Sequence, residues 1–402
     1  MLKNKNVWIL MTGEFIAGLG MWIGIIGNLE FLQQQVPSDF MKSLILFAGL
    51  FVGVLFGPFA GRVIDQSSKK KVLAYSNILR IIAVFAMFFA IGQQNVLWMV
   101  LYMLGISVSA AFYFPALQAA IPLIVKEEQL LVLNGVHMNI ATIARILGTA
   151  LGGLLAVYFS LFFIYLATLL SYVIIFLCTL ALKIKDEEKK ETNIKEKSSF
   201  RELWPVITEQ PAILTGLLLM LIPVSFIGSF NLMVLEISEM QGDPGIKGLL
   251  YTTEGIALML STFVIRRISR GKNVVVFLLA SAMLIALAHI SLYFADIKIL
   301  SILSFGLFGF AAGAFFPLSA TLFQKKIAKE VHGRFFSFRN MTDRVLFQIV
   351  LLSTGLFLDT IGFKYMVLCF GGFSLLLALI LTLKQLSKPV SYIQDLAIKK
   401  AN

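Results

Sequence analysis

The chain has 402 residues, of which 58% are hydrophobic and only 14% charged, where soluble domains carry about a quarter. So few polar side chains cannot coat a soluble globule, which excludes an ordinary soluble fold. The formal net charge of +12 would suit a nucleic-acid partner, but the basic residues stand in short stretches between long apolar runs, where membrane topology explains them and no nucleic acid is expected.

The first apolar run, from about Val7 to Leu32, follows Lys3 and Lys5 in the manner of a signal peptide. It is too long for one and lacks a small-residue cleavage site, so it reads as a retained span. About 20 apolar residues cross a bilayer as a helix, and twelve such stretches are legible. In the first half they run about 7–32, 41–63, 72–91, 96–120, 131–158 and 161–183; in the second, about 209–238, 246–267, 273–294, 298–323, 335–358 and 363–386. Residues 1–183 and 204–390 thus form two six-helix bundles. Between them 184–203 is a charged linker, with KDEEKKETNIKEKSSFREL over 185–203, and 391–402 is a tail. The fold class expected is an all-α polytopic membrane protein of twelve transmembrane helices in two pseudo-symmetric bundles.

The basic residues set an orientation. With both termini and the linker in the cytoplasm, cytoplasmic segments hold 26 of the 34 Lys and Arg. The outer loops hold Lys42, Lys247, Lys298 and Lys364, and the spans hold Arg80, Arg145, Arg339 and Arg344. That bias predicts a multi-pass protein of a bacterial plasma membrane with both termini cytoplasmic. The cysteines, Cys178 and Cys369, lie in apolar runs without ligand spacing and read as small core hydrophobes. No phosphate loop, dinucleotide fingerprint or HExxH appears, so neither cofactor nor metal is expected. Nor do a nucleophile, a base and an orienting group cluster as in an enzyme.

The halves repeat. Ala111-Phe-Tyr-Phe-Pro115 near the end of span four recurs as Ala314-Phe-Phe-Pro317 near the end of span ten. Asn139 and Arg145 in span five parallel Asn340 and Arg344 in span eleven. A parallel six-helix repeat about a cytoplasmic linker is the organisation of major facilitator transporters.

Two motifs carry the resemblance to that family. Residues 57–71, GPFAGRVIDQSSKKK, resemble its signature between spans two and three, with Gly57 and Gly61, the acid Asp65, and the basic Lys69, Lys70 and Lys71. The resemblance implies that Asp65 latches the halves on the cytoplasmic side, although Gln66 stands where the family usually has Arg. Span five resembles the family's antiporter pattern, with Gly135, Ala144, Gly148, Thr149, Gly152 and Gly153 in register and two positions substituted, one of them a proline. Small residues every four positions let helices lie close together.

Gly57–Gly61, Ala111–Gln118 and Arg145–Gly153 are most similar to the macrolide-efflux and siderophore-exporter branch of the drug:proton antiporters. The resemblance covers the first half and, more weakly, the second. It implies alternating access, a monomer, and export of hydrophobic or amphiphilic compounds, antibiotics and other drugs among them, in exchange for protons. Lysophospholipid flippases look similar, and an importer by proton symport stays open. Many proton antiporters carry an Arg in span four, but no charged residue occurs here from Val96 to Val125.

A charge inside a bilayer costs at least about 2.5–3.5 kcal/mol on insertion scales, so each asks for a reason. Glu14 lies about 10 Å into span one at 1.5 Å per residue, on one face with Gly18, Met21, Ile25 and Asn28. A carboxyl there can bind a proton and release it when paired or hydrated. Glu254 in span eight, about 12 Å deep, is a second proton candidate. Span eleven carries Asp343 four residues from Arg339, with Asn340, Arg344 and Gln348 at the same spacing. Arg145 and Arg344, related by the repeat, are expected to face a cavity or hold carboxylates. Arg80 reads as a structural partner, and His137 and His289 as packed or interfacial histidines.

Overall fold

The computed structural model describes residues 4–125, 127–184, 207–208, 210–268, 273–327 and 332–386. The linker at 185–203 and the tail at 391–402 fall outside these. Among the described residues the regular structure is helical throughout: α1 (Lys5–Gln35), α2 (Asp39–Gln66), α3 (Lys69–Gln93), α4 (Val96–Ala120), α5 (Glu127–Tyr158), α6 (Leu161–Ala181), α7 (Pro211–Leu219), α8 (Leu221–Gln241), α9 (Ile246–Ile268), α10 (Val274–Ser291), α11 (Lys298–Lys326) and α12 (His332–Leu386).

Short polar residues open these helices by accepting the first free N–H groups. Asn4 accepts from Asn6, Ser38 from Met41, Ser68 from Lys71, Asn95 from Leu97 and Asn273 from Val275. Gln94 closes α3 in the left-handed region, at φ 50 and ψ 39. Pro115 and Pro317 lie inside α4 and α11 at repeat-related positions, where each removes a backbone donor.

Ten helices among the described residues are long and apolar enough to cross a membrane, and the chain is a multi-pass membrane protein. The span read over 209–238 is two helices, α7 and α8, that meet at Met220. The two spans read over 335–358 and 363–386 are two helices joined across a kink within α12. Its break is Gly362 at φ 78 and ψ 169, a conformation that costs only glycine little. Large apolar side chains face outward along the helices, with Leu97 71%, Phe263 74% and Leu383 65% exposed. A bilayer, not water, is the solvent that suits such a surface.

The residues group into two compact units. One comprises Met1–Lys195 with Asn231–Gly255 and Leu351–Thr360; the other comprises Glu196–Phe230, Ile256–Val350 and Ile361–Asn402. In the first, α1 packs on α5 and α6, and α3 on α4 and α6. Glycines set the α1–α5 distance. A Cβ on Gly18 would stand 2.8 Å from that of Ala144, and one on Gly148 would stand 2.8 Å from Trp22 Cβ and 2.9 Å from the Leu19 carbonyl oxygen. Side chains at either position would push the helices apart.

In the second unit Ile207, Ile213, Phe323, Ile327 and Phe335 form a buried cluster, while Phe226 stacks on Phe308 at 3.8 Å. Both Lys42 and Lys247, read from sequence as loop residues, lie inside α2 and α9 and are buried. Lys42 pairs with Asp39 at 2.7 Å and Lys247 with Glu30 at 2.6 Å. Burying an ammonium group demands such a partner, and hydropathy along the chain does not show one.

Candidate functional site

Within the first unit, α1, α3, α4 and α5 enclose a cavity of about 90 Å³, lined by Glu14, Trp22, Arg80, Tyr113, Phe114 and His137 with small residues between them. Helical spacing on α1 places Glu14, Gly18, Met21 and Trp22 on one face. Gly18 and the neighbouring glycines then let α5 close over that face.

The Tyr113 hydroxyl donates to Glu14 Oε1. His137 Nε2 lies 3.4 Å from Glu14 Oε2, and with its proton on Nε2 the imidazole donates to the carboxylate. The Arg80 guanidinium sits 4.0 Å above the Tyr113 ring, 5.9 Å from Phe114 and 5.6 Å from Tyr172. These are cation–π distances. Arg80 is thus a partner of aromatic rings, buried with 6% exposure.

A second polar group adjoins the first across Trp22. Arg145 pairs with Glu254 at 2.9 Å, and its guanidinium lies 5.7 Å from the Trp22 ring. Trp22 in turn meets Tyr251 at 6.1 Å between ring centres, and Tyr251 donates to Asn231. Thr149 bonds back to the Arg145 and Ile146 carbonyls and lies 3.4 Å from Thr252 Oγ1. The helices can come this near because Gly153 meets Gly248: a Cβ on Gly153 would lie 2.9 Å from Gly248 Cα. Gly152 packs on Ile23 and Ile26. The small-residue face of α5 therefore divides, with Gly148 and Gly152 against α1 and Thr149 and Gly153 against α9.

Other sequence candidates stand elsewhere. In the second unit Asp343 pairs with Arg339 at 3.5 Å, and Arg339 lies 5.1 Å over Phe323 and donates to Met220 Sδ. Asn139, Asn340 and Arg344 have exposed side chains and join neither polar group. Of the residues read as a conformational latch, the surroundings of Gly57 and Gly61 and the side chain of Asp65 lie outside what the structure describes, as do the surroundings of Gly135 in α5. Lys70 donates to the Leu180 and Leu182 carbonyls at the end of α6, both at 2.7 Å, and Lys69 to the Ile64 carbonyl at 2.9 Å. Each lysine thereby satisfies carbonyls that a helix end leaves free.

Sequence reasoning missed Tyr113 and His137 as partners of Glu14, and Arg80 as the cation over Tyr113. They come from three other helices, and no local spacing ties them to Glu14. Among the described residues no three His, Cys, Asp or Glu side chains group as metal ligands.

A sequence model described as Major Facilitator Superfamily matches residues 10–350. The chain is 22% identical to Macrolide efflux protein A of Streptococcus pyogenes over 400 residues, covering 94% of this chain and 95% of that one. It is 27% identical to the Lysophospholipid transporter LplT of Pectobacterium carotovorum subsp. carotovorum (strain PC1) over 156 residues, 39% of this chain and 37% of that one. In structure it resembles a bacterial homologue of the iron transporter ferroportin in an inward-facing state, with TM-score 0.73 and 18% identity over 96% of this chain and 99% of the other. At that identity the likeness concerns the fold alone. The match of the family model over most of the chain settles membership: this protein belongs to the Major Facilitator Superfamily of membrane transporters.

Proposed function

We propose that the chain exports hydrophobic or amphiphilic compounds, macrolide-like antibiotics among them, across the bacterial plasma membrane in exchange for protons, with Glu14 as the coupling carboxylate. The observation that carries this reading is the setting of Glu14: a carboxylate engaged at both oxygens, in a cavity walled by Trp22, Phe114 and Met21. At about 90 Å³ the cavity has room for a few waters and not for the body of an amphiphile, so it serves the proton, and the carboxylate supplies a group whose charge a proton cancels. In alternating access the two halves expose a site to each side in turn. A proton taken up by Glu14 on one side and released on the other converts the proton gradient into outward movement of the compound.

Arg145 and Glu254 serve this reading as a strut. Their mutual pairing leaves Glu14 as the carboxylate at the cavity. Similarity to Macrolide efflux protein A along 94% of the chain supports the export direction and the substrate class. The shorter similarity to a lysophospholipid transporter supports a second reading, lipid movement on the same scaffold.

Proteoliposomes of the purified chain, loaded with a pH-sensitive dye, distinguish the two. Macrolides or lipophilic drugs should provoke proton movement in the wild type, and Glu14→Gln should abolish it. Proton movement that survives Glu14→Gln moves the coupling site elsewhere. Lysolipid transfer without proton movement replaces the export reading with the lipid one.

A further inference from the structure

We propose that His137 passes the coupling proton between water and Glu14, an assignment that rests on the reading of Glu14 given above. The two oxygens of that carboxylate have unlike neighbours. Oε1 takes the hydroxyl of Tyr113, a buried residue whose ring lies under Arg80 at 4.0 Å. Oε2 faces His137 at 3.4 Å, and the His137 side chain is 25% exposed against 11% for Glu14. One side of the carboxylate is thus sealed by a clamped phenol. The other opens through an imidazole toward the exposed stretch of α5 at Met138, Asn139 and Ala141.

The chemistry of the surrounding groups singles out this imidazole. Charged or titratable side chains reach the site from every helix packed around it: Glu14 on α1, Arg80 on α3, Tyr113 on α4, His137 on α5, and Tyr172 and Cys178 on α6. A guanidinium keeps its protons in proteins, and a phenol at neutral pH acts toward a carboxylate only as a donor. Imidazole exchanges protons near neutrality.

In the transfer, the Nε2–H bond of the His137 imidazolium breaks and its electron pair stays on nitrogen. The proton forms an O–H bond with Glu14 Oε2. A cation and an anion become two neutral groups, and the reverse step returns the proton. Tyr113 stays bonded to Oε1 throughout and holds the carboxyl in place.

The test uses the full chain in proteoliposomes, with erythromycin as the probe, followed in two modes. Proton-driven movement is read from the internal dye, and counterflow of labelled erythromycin is read without a pH gradient. Glutamine in His137→Gln keeps a hydrogen-bonding group but has none that gains and loses a proton near neutral pH. It should slow proton-driven movement by about tenfold or more and flatten its pH profile, and should slow counterflow far less. His137→Ala should behave likewise and regain proton movement when imidazole is added to the buffer.

Two outcomes overturn the relay: a wild-type rate and pH profile in His137→Gln, or equal loss of both modes without rescue by imidazole, which makes His137 a shaping residue only. Failure of the antiport reading is distinct, because the wild type itself would then move no protons, and the relay falls with it.

Discussion

Arg145 on α5 and Glu254 on α9 meet at 2.9 Å, with 22% and 5% of their side chains exposed. Gly255 makes room for the pair, since a Cβ there would stand 3.3 Å from the Arg145 guanidinium and 2.9 Å from Ile146. Trp22 lies against Arg145 on one side and lines the Glu14 cavity on the other. One tryptophan therefore touches both polar groups of the first unit. The segment 231–255, from the second half of the chain, is tied to α5 by this pair.

Removing one member of a buried pair strands the other, which costs about 3–5 kcal/mol, whereas removing both can be close to neutral. Arg145→Ala should therefore lower the thermal unfolding midpoint in detergent sharply, and Glu254→Gln less, because the amide needs no counter-charge. The double variant Arg145→Ala, Glu254→Ala should recover part of the loss. A double-mutant cycle measures the coupling directly. An Arg145→Ala variant as stable as the wild type would show that the pair is ornamental and that water reaches Glu254.

Much of this architecture is legible in the sequence, because the bilayer imposes a simple rule of about 20 apolar residues per helix. That rule locates α1, α3, α4, α6 and α10 to within a few residues. It also separates 335–358 from 363–386, which break at Gly362, but it does not reveal that α7 and α8 part at Met220, since hydropathy carries no information on backbone dihedrals. The intramembrane charges announce themselves by their cost, so Glu14, Arg145 and Glu254 could be named. Their partners could not. Lys247 looks like an outer-loop lysine until Glu30 is seen 2.6 Å away. His137 looks like a packed histidine until α1 and α5 are brought together by Gly18 and Gly148. Contacts between distant helices depend on where glycines allow close approach, and one sequence does not give the rotation of each helix.

The same unit holds two more ties to segments from the second half of the chain. Lys247 pairs with Glu30, which also accepts from Gln34 at 2.8 Å. Asp359 accepts from the Ser38 hydroxyl at 2.7 Å and from the backbone N–H groups of Asp39 and Phe40 at 2.8 and 3.1 Å. A carboxylate from residue 359 thereby caps the N-terminus of α2, worth about 1 kcal/mol. Ser43 is fully buried one turn further on, with Gly355 packed against it. Asp359→Ala with Lys247→Ala should loosen 351–360 from α2. A cysteine placed by Ser43→Cys should then react with a water-soluble maleimide that it resists in the wild-type background. Asp359→Asn retains an acceptor oxygen and should protect Ser43→Cys almost as well as Asp359 does. Equal labelling in all three backgrounds would mean that the cap does not hold this segment in place.

His289 provides a contrast with His137. It is fully buried in α10, and neither ring nitrogen has a hydrogen-bond partner among the described residues. Its ring lies 5.0 Å from Phe226 and 6.0 Å from Phe370, and a Cβ on Gly371 would stand 3.3 Å from its own. Apolar surroundings reward nothing polar in this ring, because an unmade hydrogen bond leaves a desolvation cost of about 1–3 kcal/mol. His289→Leu or His289→Phe should hold the unfolding midpoint or raise it, and substrate-dependent proton movement should match the wild type. His137→Gln, by comparison, should leave the midpoint unchanged and slow proton movement. If His289→Leu instead slows proton movement while the protein stays folded, then His289 takes part in coupling from the second unit. A relay confined to α1 and α5 would no longer account for the transport cycle.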